Sequence, residues 1–171
     1  MTQYVLDANV FIEAHRRYYS FSFCPGYWDF IKLQFNQQES TSIVKVYNEI
    51  VRNVDALSSW VKTELSRGDF IGTADDASIA QEYTRVSSWV LSSSQYMQHA
   101  KENFLATDAA DPWLCAFAVV RGATVVTVET AAPQSKSRVK LPDVLDAFGV
   151  PYIGVADYLD HQRARFVLSL D

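Results

Sequence analysis

Apolar positions along this chain switch between two spacings, and their order predicts an α/β domain. Tyr4-Val5-Leu6 is a short β-rich run that ends at Asp7. Ala8 to Arg17 then carries Val10, Phe11 and Ala14 at helical spacing, so the chain opens strand, acid, helix. Pro25-Gly26 punctuates an aromatic stretch, and Trp28 to Phe35 predicts a second helix. Ser40 to Ser42 reads as a cap before a helix over Val44 to Asn53. On a helical wheel Val46, Tyr47, Ile50, Val54 and Leu57 form its apolar face. Asp55 caps a helix that runs to Ser66, and helices over Ala77 to Leu91 and Gln95 to Leu105 continue the middle of the chain.

Asp111-Pro112 predicts the next helix start, with Asp as the cap and Pro in the first turn. The segment PWLCAFAVVRG is apolar nearly all round, which marks a buried helix, and Gly122 stops it. Ala123 to Val128 is the most strand-like run, ending at Glu129. A polar loop, a helix over Pro142 to Phe148, a strand over Pro151 to Val155 and a helix over Ala156 to Leu168 complete the pattern. Short apolar strands between helices predict a parallel sheet covered on both faces. In such folds sites form at the carboxyl ends of strands, where Asp7 and Glu129 both fall. No repeat or low-complexity linker interrupts residues 1–171, so a single domain is expected.

Composition narrows the classes. No run of 18 or more apolar residues exists and the N-terminus lacks a secretory pattern, so a cytoplasmic protein without a membrane span is expected. Cys24 and Cys115 predict two reduced, buried thiols, and His15, His99 and His161 lack the spacing of a zinc site. The net charge of −5 is unlike that of a strongly basic nucleic-acid binder. A metal held by carboxylates reverses the local sign, however, leaving phosphates in need of only a basic rim. Arg16, Arg17, Lys136, Arg138 and Lys140 are candidates for it.

Hydrolysing a phosphodiester at neutral pH needs an activated water and a sink for developing charge, which two metal ions about 3.5–4 Å apart supply. Mg²⁺ prefers oxygen ligands, so three or four acids from separate elements suit such a site. Asp7 follows a strand and precedes a helix that Asn9 can cap in its place. Glu49 lies on the flank of its helix, Asp111 opens a buried helix, and Glu129 follows the second good strand. Asp108 is a fifth, weaker candidate. Thr127 shares a side of the strand with Glu129 and can hydrogen-bond a metal-bound water.

The string Tyr4-Val5-Leu6-Asp7-Ala8-Asn9-Val10-Phe11-Ile12 resembles the opening motif of PIN domains. Ser42-x6-Glu49, Ala110-Asp111-Pro112-Trp113-Leu114 with Ala116, and Ala123 to Glu129 resemble the second, third and fourth motifs, in the family's order. The resemblance implies a Rossmann-like α/β/α domain, Mg²⁺ or Mn²⁺ dependence and single-strand-directed ribonuclease activity. It implies an acidic site of Asp7, Glu49, Asp111 and Glu129, with Asp108 as an added ligand. Many members resemble VapC, the toxin of bacterial type II toxin–antitoxin pairs, which implies RNA as substrate, a cognate antitoxin and a homodimer. The chain departs from that pattern in three places: extra helical sequence between Asp55 and Leu105, Glu129 where Asp is usual, and the aromatic segment Tyr18 to Phe30. It is similar to a divergent PIN-like branch with an enlarged helical middle.

Two other readings compete. A phosphatase of the haloacid dehalogenase type wants a second Asp two residues after the first, where this chain has Asn9. A non-catalytic module that binds RNA or protein has no need of four acidic positions.

Overall fold

The computed structural model describes residues 4–168. Five parallel strands form its central sheet: β1 (Tyr4–Leu6), β2 (Ser40–Ile43), β3 (Phe70–Ile71), β4 (Thr124–Val126) and β5 (Tyr152–Ile153), in the order β3-β2-β1-β4-β5. Among the described residues nine α-helices surround the sheet in a Rossmann-like α/β arrangement. They are α1 (Ala8–Glu13), α2 (Pro25–Asn36), α3 (Val44–Val51), α4 (Ala56–Glu64), α5 (Ala77–Ser92), α6 (Gln98–Phe104), α7 (Asp111–Arg121), α8 (Leu141–Ala147) and α9 (Val155–His161). None of them is long and apolar enough to cross a membrane.

Chain order reverses between β1 and β4, so the crevice outside their carboxyl ends is the topological switch point of the sheet. Val5, Leu6, Val125 and Val126 pair there and are fully buried, as expected of central parallel strands. Helices α5 and α7 pack on each other, and α3 packs on α1 and α4. Gly122 closes α7 at φ 63°, a left-handed position that suits glycine.

Two strands escaped the periodicity. Ser40-Thr41-Ser42-Ile43 reads as a helix cap, yet it is β2, buried throughout. Its hydroxyls are satisfied internally, by a 2.7 Å bond between Ser40 Oγ and Tyr158 and a 2.6 Å bond from Ser42 Oγ to the Leu6 carbonyl. β3 is only two residues long. Helix α3 ends at Val51, so Val54 leaves the expected apolar face and is fully exposed. Other boundaries shift too: α2 starts earlier, at Pro25, α6 begins only at Gln98, and α9 stops at His161. Cys115 is buried as expected, but Cys24 is half-buried.

The first helix continues into a π-helical turn over Ala14–Tyr18, and the aromatic segment after it folds back as a staple. Trp28 donates from Nε1 to the Tyr19 carbonyl at 2.6 Å, and the Tyr27 hydroxyl donates to the Val10 carbonyl at 3.1 Å. Both rings are essentially inaccessible. Asp55 caps α4 as expected, within a capping box completed by Ser58.

Candidate acidic centre

Each candidate acid is delivered by a different element. Asp7 is the backbone N-cap of α1, but its side chain makes no capping bond. Its Oδ2 instead accepts a 2.9 Å hydrogen bond from the Thr127 hydroxyl, beyond β4. The bond ties together the ends of the two strands that flank the switch point. Thr127 also accepts from the Glu129 amide at 3.1 Å, so its one donor is spent on Asp7 while one acceptor lone pair is left over. Ser42, which the sequence places in the Ser42-x6-Glu49 motif and in a helix cap, instead ties the end of β2 to the end of β1.

Asp111 differs from expectation in one respect. The N-cap of α7 is Ala110, Asp111 occupies the first helical position, and no side chain caps the helix. Pro at the next position costs nothing there because the first-turn amides lack intrahelical acceptors anyway. The consequence favours chemistry: neither Asp7 nor Asp111 commits its carboxyl to a helix end. Glu129 lies three residues past β4 rather than at its end. It is more engaged, accepting from the Leu141 amide at 3.3 Å and facing Lys140 Nζ at 3.5 Å. Asp108 is exposed and paired with Arg52 at 2.9 Å.

The charges report on one another. Burial pushes the Asp7 carboxyl up to about 6, against the Thr127 hydrogen bond, and the Glu129 and Glu49 charges push it further. Burial also holds Asp111 well above the carboxylate range, reinforced by Asp7, Glu129 and Glu49 and opposed by Lys140. Glu49 is raised by its burial, with Arg52 lowering it and Asp108 raising it. Asp7, Glu49, Asp111 and Glu129 thus share one electrostatic neighbourhood, and Asp108 touches it only through Glu49. Among the described residues, however, no three acids, histidines or cysteines stand close enough to form a ready-made metal cage.

Thr127→Val is expected to raise the Asp7 titration midpoint further, because it deletes the hydrogen bond that stabilises the carboxylate. Carboxyl-carbon NMR against pH checks this, and an unchanged midpoint counts against the Thr127–Asp7 bond.

A cavity of about 210 Å³ adjoins the centre, lined by Asn103, Asp111, Ser137 and Arg138 among others. Of the basic rim, Arg138 therefore reaches the site and Lys140 contacts Glu129. Arg17 pairs with Glu13 instead. Lys140 follows from no sequence motif, and only the path of the loop brings it in.

No curated protein matches the chain. Residues 4–166 match the pattern of a domain of unknown function, DUF4411, and with nearly the whole described chain covered, the protein belongs to that family.

Proposed function

We propose that the protein is a metal-dependent endoribonuclease that hydrolyses RNA phosphodiester bonds. One observation carries the reading: the buried carboxyls of Asp7 and Asp111, delivered by separate elements beside the switch point, hold their protons more tightly through burial and the neighbouring Glu129 and Glu49 charges, and neither side chain makes a helix-capping bond. Burying like charges together is costly, and a divalent cation relieves that cost.

The donor set fits Mg²⁺ or Mn²⁺. It is all oxygen, and Mg²⁺ keeps several waters while taking only one or two carboxylates directly, so a closed cage of three ligands is not required. Asp7, Glu49 and Asp111 would hold the ion, with Glu129 turned partly toward Lys140. When bound, the ion supplies charge neutralisation at the phosphate and water acidity at neutral pH. The chain's own part is to orient and to move protons. Asp7 or Glu49 positions the attacking water and accepts its proton. The Thr127 hydroxyl holds the Asp7 carboxylate in one orientation.

Asp111→Asn is expected to lower Mg²⁺-dependent cleavage of single-stranded RNA by about 10²–10³-fold or more, the scale of losing one electrostatic group at a reacting centre. Circular dichroism should be unchanged. Cleavage at the wild-type rate would remove Asp111 from the site. The resemblance to VapC-like proteins extends the proposal to a toxin held by an antitoxin. Growth arrest on expression, relieved by a neighbouring gene product, tests that role.

The absence of a three-ligand cage among the described residues favours a second reading, a non-catalytic RNA- or protein-binding module. Isothermal titration with Mn²⁺ separates the two, because the module takes up no metal.

A further inference from the structure

The segment between β4 and α8, residues 127–140, contains no regular secondary structure, yet it is tied down along its length. Irregular loops longer than roughly 12–15 residues are uncommon in compact domains and are often functional. Gln95 donates from Nε2 to the Pro133 carbonyl at 2.9 Å and to the Ser135 carbonyl at 2.8 Å. The Met97 amide donates to the Lys136 carbonyl at 2.9 Å, and the Ala132 amide to Asp143 at 3.0 Å. The Arg138 amide itself is held by Ser135 Oγ at 3.3 Å. These bonds anchor the loop to the turn between α5 and α6 and to α8.

What the anchoring delivers is Arg138. Arg138 lines the 210 Å³ cavity together with Asp111, Asn103 and Ser137, and Arg138, Asn103 and Ser137 are exposed to solvent at its rim. Arg17, Arg52, Arg85 and Arg121 are each committed to a carboxylate; Arg138, like Arg16, Arg67, Arg163 and Arg165, has no ion-pair partner among the described residues, and of these five only Arg138 lines the cavity that contains Asp111. An unpartnered guanidinium, a side-chain amide and a hydroxyl around a small cavity match the donors that bind phosphate oxygens. The volume is below the roughly 300–1,000 Å³ of drug-sized sites, so the cavity takes an oxyanion group rather than a whole nucleotide.

We propose that Arg138, with Asn103 and Ser137, forms a subsite for a backbone phosphate of the RNA strand beside the bond to be cut, held in place by the pinned 127–140 loop. This rests on the nuclease reading and adds to it the residue that positions the strand. Arg138 acts by orienting the substrate, not by touching the reacting atoms.

The test is binding of a labelled, mixed-sequence single-stranded RNA oligonucleotide in Mg²⁺, followed by fluorescence anisotropy over a salt series, on the cleavage-blocked Asp7→Asn background. Adding Arg138→Ala should raise Kd roughly 5- to 10-fold near 50 mM salt and reduce the slope of log K against log salt by about 0.7, the value of one neutralised phosphate on a single strand. Arg138→Lys keeps the charge and should restore the slope. An unchanged slope in Arg138→Ala with RNA binding intact overturns this subsite and leaves the nuclease reading standing. No RNA binding by either the Asp7→Asn or the wild-type protein overturns both. An equal loss of slope in Arg138→Lys and Arg138→Ala points to a structural role and also overturns the subsite.

Discussion

Asp7→Asn is expected to melt higher than the wild-type protein at pH 7 in the absence of divalent ions, while losing cleavage. The folded carboxyl titrates near 6 and an unfolded one near 3.8, so the folded chain holds the proton more tightly. Wild-type stability without metal therefore falls as pH rises from about 4 to about 6. The shift of about two pH units corresponds to up to about 3 kcal/mol. Asparagine carries no charge to bury and its carbonyl can still accept from Thr127, so the variant avoids that loss. For a domain of this size the gain is about 5–10 °C at pH 7, shrinking toward zero below pH 4. Mn²⁺ should raise the melting temperature of the wild type and close the gap. Scanning calorimetry across pH, with and without Mn²⁺, is the measurement. A variant that melts below the wild type at pH 7 would mean that the Asp7 charge is not under strain, and the acidic centre would lose its main physical support.

The second large effect concerns the scaffold. Trp28→Ala removes a ring that is 2 % exposed and packs against His15, Phe21, Tyr27 and Trp60. Large-to-small substitution of a buried Trp costs about 3–5 kcal/mol, and here it also strands the Tyr19 carbonyl that accepts from Nε1. A domain has only about 5–15 kcal/mol in total, so urea unfolding should show a much lower midpoint at nearly constant slope. Because the staple grips the π-helical extension of α1, whose first turn follows Asp7, metal uptake should weaken as well. A loss under 1 kcal/mol would show that the aromatic segment is an ornament on the fold and that its function lies elsewhere.

Local signals revealed most of the helices, the two central strands and β5. Leu6-Asp7-Ala8 could be read as strand, acid and helix because three adjacent residues change hydrophobic period, and Asp55 and Gly122 announce their caps through their own backbone preferences. Asp7, Glu49, Asp111 and Glu129 were all legible as candidates because they sit at or near such changes, or on the flank of an amphipathic helix. Whether they meet was not legible. That depends on β1 lying beside β4 across more than a hundred residues, and on carboxyls choosing between helix caps and open space. β2 stayed hidden because Ser40 and Ser42 find their partners on Tyr158 and Leu6, which lie in other elements. Arg138 was one basic residue among several until the loop's bonds to Gln95 and Met97 set its position. The sequence by itself therefore determined the elements and the set of available acids, since both depend on neighbours within a turn or two. Only the tertiary structure decided which charges share a crevice, because electrostatic coupling depends on distance in space and on burial, and neither is a property of position along the chain.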